Sequence, residues 1–394
     1  MPDTTTIAAA DAIIIGAGFA GATIARELAE RGGKTVAVVE RRDHVGGNAY
    51  DMYDETGVLI HAYGPHIYHS NSDRVHEWLS RFTEWRDYQH EVLASIRGSF
   101  IPVPFNLNSI DLSFEPERAE AFKAALLRAY EPGARVGILD LKQQDDPLLK
   151  ELSDYVYENV FLHYTMKQWG QTPEEIDPAV TARVPVLIDT DNRYFQDKYQ
   201  GMPLNGYTPV FESILDHPSI SLHLGVAASE LIELQFDGDK ITGVLVDGKP
   251  YTGLVIYTGA VDELLDWRFG LLPYRSLDFV YKRYDKKHVQ PTGTVNFTVS
   301  EDYTRTTEYS WLTGQEIEKT TVAEEYPLAF TDPATQIPYY VISGDENQAM
   351  YDKYAAMFNE LPNFKLLGRL AEYRYYNMDQ IVARALELAD ELLS

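Results

Sequence analysis

With 394 residues, of which 45% are hydrophobic and 24% charged, the chain can bury a large core and divide into two or three globular domains. Its formal net charge of −26, from 34 basic and 60 acidic residues, makes nucleic acid a poor partner, and any anionic ligand would need arginines placed locally against that field. The absence of cysteine excludes disulfides, thiol catalysis and thiolate metal sites. No apolar run reaches transmembrane length, and residues 1–10 lack the basic region of a signal peptide. No membrane insertion is therefore expected, and a cytoplasmic location is.

Residues 12–15 read as a buried strand that runs into Gly16, Gly18 and Gly21, a G-x-G-x-x-G turn, and then into an amphipathic helix to about residue 31 with Phe19 in its first turn. Gly16 permits the tight turn, Gly18 a close approach to a pyrophosphate, and Gly21 the packing of helix on strand. The helix N-terminus offers N–H groups and a positive dipole end to phosphates. A second strand, 35–39, ends in Glu40, placed to bind a ribose hydroxyl pair. Arg41, Gly46, Gly47 and Asn48 follow, and the two glycines let another backbone segment meet the cofactor. This E-x-R…GG continuation resembles the FAD-binding family that includes glutathione reductase and the amine oxidases, and it favours FAD over NAD.

His61, His66 and His69 lie close in sequence, but no carboxylate or cysteine stands at ligand spacing, so no metal is expected. Asn71 is expected to cap a helix to about residue 82. Residues 88–105 alternate as strands, with Arg97-Gly98 as the turn and Pro102 and Pro104 marking an edge. The pattern is helical from 115 to 169, with helices over 116–130 and 146–161. A proline-punctuated segment, 172–192, reads as a mobile loop. A helix at 207–215, strands at 220–224, 241–246 and 254–257, and an alternating region over 275–345 follow. The last region predicts an antiparallel sheet with one solvated face. A strand at 364–367, a turn at Gly368 and a helix over 378–393 capped by Asn377 close the chain. The expected architecture is α/β: a Rossmann-like FAD-binding domain (1–85, 207–265, 362–394), an inserted helical domain (110–185) and an antiparallel β-sheet domain (86–109, 186–206, 266–361).

The stretches HVGGNAY, HAYGPHIYH, YTMKQWG, DNRYFQDKYQGMPLNGYT, YRSLDF, YTRTTEY and GRLAEYRYYNMDQ, in this order between residues 11 and 385, closely resemble the bacterial UDP-galactopyranose mutases. The resemblance implies FAD that is active when reduced, a homodimer, and interconversion of UDP-galactopyranose and UDP-galactofuranose without net redox, supplying galactofuranose for cell-surface glycans. In the family the reduced flavin N5 attacks the anomeric carbon and a covalent sugar adduct forms as UDP departs.

Residue by residue, the resemblance implies that Arg305 and Arg183 hold the diphosphate, and that Tyr164 and Trp169 offer flat faces to uracil; without it, both aromatics read as helical core. Tyr194 and Phe195 resemble a pair flanking the nucleotide. Tyr339 and Tyr375 match two diphosphate-facing tyrosines, with Tyr340 competing with Tyr339 for the alignment. Asn296 contacts uridine or ribose, or else is a satisfied sheet-edge amide. His66 resembles the histidine beside the flavin, acting by proton transfer or by a main-chain contact, and His90 faces the sugar. Gly368 and Arg369 resemble residues at the cofactor, and the helix opening at Asn377 and Met378 points at the flavin pyrimidine edge. Relatives with aspartate at 377 carry a charge there that asparagine lacks. The competing readings are a flavin oxidoreductase of the amine oxidase or desaturase type, and a non-catalytic FAD-binding module.

Overall fold

The computed structural model describes residues 4–172, 174–175 and 185–394. Five strands form a wholly parallel sheet in the order Ile220–Leu224, Val36–Glu40, Ala12–Ile15, Leu254–Tyr257, Phe364–Leu366. Their apolar runs follow from burial on both faces. Ala12, Ile14, Val36 and Val38 pack on one side against the helices Phe19–Glu30, Thr208–Leu215 and Met378–Leu393. Ile13, Ile15, Ala37 and Val39 pack on the other, against the meander Ile232–Asp237, Lys240–Val246, Lys249–Tyr251. The chain leaves Ala12–Ile15 towards Val36–Glu40 on one flank, and Leu254–Tyr257 takes the other. Strand order therefore reverses there, and a crevice opens beyond the carboxyl ends, where the glycine turn lies.

A second sheet has seven strands, in the order Tyr340–Val341, Tyr274–Tyr284, Thr320–Ala329, Arg305–Glu308, Thr294–Phe297, Val92–Ile96, Ser99–Val103. It was expected to be antiparallel and is mixed, because Thr294–Phe297 pairs in parallel with Val92–Ile96. A parallel pair needs a long crossover, and the chain between residues 103 and 294 supplies one. The Arg97-Gly98 hairpin has positive φ at both residues, 51° and 88°. Pro102 is tolerated because Ser99–Val103 is the edge strand.

The helices Pro116–Ala129 and Pro147–Val156 bury Phe122, Leu126, Leu149 and Leu152 against that edge, in a third core with Val92, Ile101 and Phe105. The helix expected over 146–161 runs on instead. Tyr157–Leu162 is a π-helical turn leading into His163–Trp169, which ends at Gly170 with φ 71°. The Thr298 hydroxyl donates to the Asn159 carbonyl within this π turn, at 2.5 Å, so the irregular segment is tied to the sheet. The expected cap at Asn71 is also corrected. Ser72 caps the helix Asp73–Leu79 through Val75 N–H (3.3 Å), while Asn71 donates to Asp197 and accepts from Lys198 N–H. Of the expected loop at 172–192, Val186–Leu187 pairs with Arg135–Val136, and residues 173 and 176–184 lie outside the described residues.

Gly21 sits inside the Phe19–Glu30 helix, where an added Cβ would lie 1.8 Å from the Gly16 carbonyl oxygen. Both groups are backbone, so relief requires the helix to move off the sheet. Gly21→Ala is expected to destabilise the fold by about 2 kcal/mol or more, read as a lowered urea midpoint. An unchanged midpoint would show that this contact does not set the helix position.

Candidate functional site

A cleft of about 1070 Å³ begins at the glycine turn and runs along the carboxyl edge of the parallel sheet. Gly16, Gly18, Phe19, Glu40, Arg41, Gly46, Gly47, Asn48, His66, Gly368, Arg369, Asn377 and Met378 all line it. Gly21 does not; its part is the helix–strand contact. Gly16 has φ 111°, and an added Cβ would lie 2.0 Å from the Thr258 hydroxyl. A Cβ on Gly47 would come within 3.1 Å of Gly18 Cα, so the two glycine segments meet without side chains between them. Glu40 ends the second strand; its Oε2 accepts Ala17 N–H (2.9 Å) and its Oε1 accepts Arg42 N–H (3.0 Å). Arg41 is paired with Glu263 at 2.9 Å. The cradle of bare backbone, helix N-terminus and terminal acid suits a dinucleotide with its pyrophosphate over the turn.

A second cavity of about 280 Å³ lies between the helical segment and the seven-stranded sheet. Its polar floor follows from strand register. Asn296 pairs with Arg305 and Arg305 with Glu325, which sets the three side by side on one face. Arg305 Nε donates to Glu325 Oε2 at 2.9 Å, and Nη2 lies at the same distance from that oxygen. Tyr164, Trp169, Tyr194, Phe195, His90, Tyr339 and Tyr375 line the remaining wall with Tyr340. Tyr340 stacks on Tyr375 with ring centres 5.9 Å apart, and Trp169 lies 5.7 Å from Tyr340. Phe195 stacks on His69 (3.7 Å) and flanks His90, whose carbonyl accepts Tyr194 N–H at 2.7 Å. Arg183 lies outside the described residues.

The two cavities share a wall. Asn48, His66, Tyr339, Arg369, Asn377 and Met378 line both. Arg369 holds this junction together, donating to the carbonyls of Tyr339 (3.1 Å) and Tyr376 (2.6 Å) while its guanidinium lies 4.9 Å from the Tyr375 ring. The Met378–Leu393 helix opens here, with Gln380 Oε1 accepting Asn377 N–H at 2.9 Å.

Protonation at the junction is set by burial. His66 is held neutral, with a pKa of about 3, by desolvation and by neighbouring His61, Arg369 and Arg305, against the opposing pull of the Gly64 carbonyl. That carbonyl can only accept, so His66 carries its hydrogen on Nδ1 (2.9 Å) and keeps Nε2 as an acceptor. His61 Nδ1 accepts His66 N–H at 2.9 Å, so its hydrogen is on Nε2. Burial also lowers His61 and His90 to about 3. At Arg305, burial opposes the charge but Glu325 prevails and fixes it. Burial, aided by Glu325, pushes Tyr340 up to about 12, so it stays a neutral hydroxyl donor.

Several lining residues escaped the motif reading: Glu325, Tyr340 as a full member of the wall, His69, Phe161 and Gln168. Glu325 stands beside Glu324 in TTVAEEYPLA, a run that does not alternate, so the sequence does not say which acid faces the cavity. Phe161 and Gln168 had no signal beyond helical periodicity.

This arrangement defines a Rossmann-like dinucleotide-binding protein of the flavoprotein type with a second polar and aromatic cavity against its cofactor cleft. A family profile described as UDP-galactopyranose mutase matches residues 159–375, and one described as an NAD(P)-binding Rossmann-like domain matches 14–82. The chain is 34% identical over 390 residues to a UDP-galactopyranose mutase of Mycoplasma pneumoniae, covering 97% of this chain and 96% of the relative. It is also 34% identical over 380 residues to a dTDP-fucopyranose mutase of Escherichia coli, covering 96% and 97%. A crystal structure of reduced UDP-galactopyranose mutase superposes with a TM-score of 0.67 at 18% identity, covering 97% of this chain and 93% of that one. The chain belongs to the UDP-galactopyranose mutase family.

Three histidines held neutral in the fold, the buried His61 and His90 and the half-buried His66, bear on stability. Between their ordinary pKa near 6.5 and the folded value of about 3, the unfolded chain binds protons that the folded chain refuses. Stability is therefore complete above 6.5 and falls as the pH drops below it. Each histidine is expected to cost about 2 kcal/mol between pH 6.5 and 5. Urea unfolding at pH 7 and pH 5 measures this; equal stabilities would contradict the buried neutral state.

Proposed function

We propose that this chain interconverts UDP-galactopyranose and UDP-galactofuranose, with FAD in the larger cleft and the nucleotide sugar in the smaller cavity. The observation that supports the reading is the shared wall, across which a cofactor ring in the larger cleft would face a sugar in the smaller cavity. Reduced flavin, when bound, supplies an electron-rich ring nitrogen able to act as a nucleophile at an anomeric carbon. Gly16, Gly18, Glu40, Gly46 and Gly47 would hold its dinucleotide portion, and Asn48, His66, Arg369, Asn377 and Met378 its ring.

The chain's own task is to hold UDP through its departure and return. Arg305 is suited to the diphosphate: Glu325 takes Nε and Nη2, and no other hydrogen bond engages its guanidinium among the described residues. Arg183 would be the second cation, and the hydroxyls of Tyr339, Tyr340 and Tyr375 would donate to phosphate oxygens. Tyr164 and Trp169 supply ring faces for the base, Asn296 an amide for uridine or ribose, and Tyr194 with Phe195 a flank for the nucleotide. His90 would lie on the sugar side, and His66 Nε2 can accept a hydrogen bond from a hydroxyl while the ring stays neutral. The rival oxidase reading fits worse, because a half-buried arginine at the cavity floor serves a phosphate better than an amine or an apolar substrate. The family resemblance also supports a cytoplasmic homodimer that supplies galactofuranose to surface glycans; sedimentation checks the dimer.

The test is an anaerobic assay of the FAD-loaded protein with UDP-galactofuranose. Conversion is expected after dithionite reduction, with no stoichiometric use of reductant. Faster turnover of dTDP-fucopyranose would overturn the substrate, and oxygen uptake with an amine would overturn the reaction class. Arg305→Ala and Arg183→Ala should each retain bound FAD and lose about 100-fold or more in kcat. Near-normal kinetics in either variant would refute its role at the diphosphate.

A further inference from the structure

Outside the residues assigned above, two cations lie between the cavity's helix and its sheet and hydrogen-bond only to carbonyl oxygens; Arg275 is buried, and Lys167 is half-buried with Glu301 and Asp302 near enough to favour its charge. Arg275, 8% exposed at the start of Tyr274–Tyr284, donates from Nε to the Gln168 carbonyl (2.9 Å) and from Nη2 to the Lys167 carbonyl (3.0 Å). No carboxylate lies within ion-pair distance of it among the described residues. Those two carbonyls belong to the last turn of His163–Trp169, where a helix leaves its acceptors unfilled and its dipole favours positive charge. The helix stops at Gly170, whose added Cβ would lie 3.3 Å from Arg275 Nη1. The guanidinium therefore fills the space that the left-handed glycine leaves open.

Lys167 runs the other way. Its ammonium donates to the carbonyls of Phe297, Glu301 (2.8 Å) and Tyr303 (3.1 Å). Phe297 ends the strand that carries Asn296, and the loop it closes leads to Arg305. Burial disfavours the charge on both cations, so each is retained at a cost that a packed apolar side chain would avoid. What the two provide is registry. The turn bearing Gln168 and Trp169 is fixed to the strand paired with Tyr340 on one side, and to the Asn296–Arg305 hairpin on the other.

We infer that Arg275 and Lys167 form a crossed cation–carbonyl clamp that positions the His163–Trp169 helix over the sheet, and that it sets affinity for the nucleotide portion of the substrate rather than the rate of the chemical step. Neither residue lines either cavity. Both are positioning residues, acting through Tyr164, Gln168 and Trp169 on one side and through Asn296 and Arg305 on the other. This rests on the nucleotide-sugar reading proposed above.

The experiment is calorimetric titration of the FAD-loaded enzyme with UDP, alongside steady-state kinetics of the reduced enzyme. Wild-type protein binds UDP if the underlying reading holds; failure there overturns that reading and the inference with it. Given wild-type binding, Arg275→Met is expected to weaken UDP about tenfold and to raise KM by a similar factor. Its kcat should stay within about threefold and its flavin absorption unchanged. Arg275→Lys should recover part of the affinity, since one ammonium still reaches a carbonyl. Lys167→Met should show the same split, and it decides the matter if Arg275→Met fails to fold. UDP affinity equal to wild type in a variant that retains FAD, or a fall in kcat with KM unchanged, would overturn the clamp.

Discussion

The close passage of Gly21 over the Gly16 carbonyl is the constraint on which the rest of the structure depends. It lets the Phe19–Glu30 helix descend on the parallel sheet so that its N-terminus faces the crevice at the strand ends. Gly18 and Gly47 then meet without side chains, and the floor of the large cleft becomes bare backbone. The sheet that makes this possible is assembled from well-separated stretches of the chain, and so is its partner layer of helices. The elements inserted between them build the second cavity against the open side of the first.

Electrostatics within the second cavity runs against the character of the whole protein. A chain with a net charge of −26 repels anions at long range, so recognition of one depends on contacts made where water is excluded. In the proposed function Arg305 would meet this need, and a half-buried guanidinium calls for a partner. Glu325 supplies it, fixes the planar group through Nε and Nη2, and offsets part of the guanidinium's positive field. His66 and His90 are kept neutral by desolvation, and the hydroxyls of Tyr164, Tyr339 and Tyr340 stay protonated. The cavity thus offers directed hydrogen bonds more than raw charge, a design suited to gripping a leaving group through departure and return.

Much of the fold was legible because its signals are local. The apolar run at 12–15, the glycine spacing and Glu40 are read from adjacent residues, and the Arg97-Gly98 turn announces itself through a glycine that tolerates positive φ. The candidate site residues came mainly from motifs; among those the structure describes, all but Gly21 line one cavity or the other. What stayed hidden depends on contacts distant in sequence. Glu325 meets Arg305 only through strand register, Ser72 rather than Asn71 caps its helix because Asn71 is engaged by residues 197–198, and the parallel pairing of Thr294–Phe297 with Val92–Ile96 joins strands nearly 200 residues apart. The π turn at Tyr157–Leu162 has no composition that sets it apart from the α-helix on either side.

The central claim is that two cavities with a common wall serve one reaction, the cofactor in one and the nucleotide sugar in the other. The most direct measurement is a crystal structure of the protein with FAD and UDP both bound. The account predicts a flavin ring at the wall formed by Asn48, His66, Tyr339, Arg369, Asn377 and Met378, UDP in the smaller cavity with its base beside Tyr164, and a phosphate oxygen within hydrogen-bonding distance of Arg305. UDP bound away from that cavity, or a flavin ring that leaves the common wall empty, would contradict it.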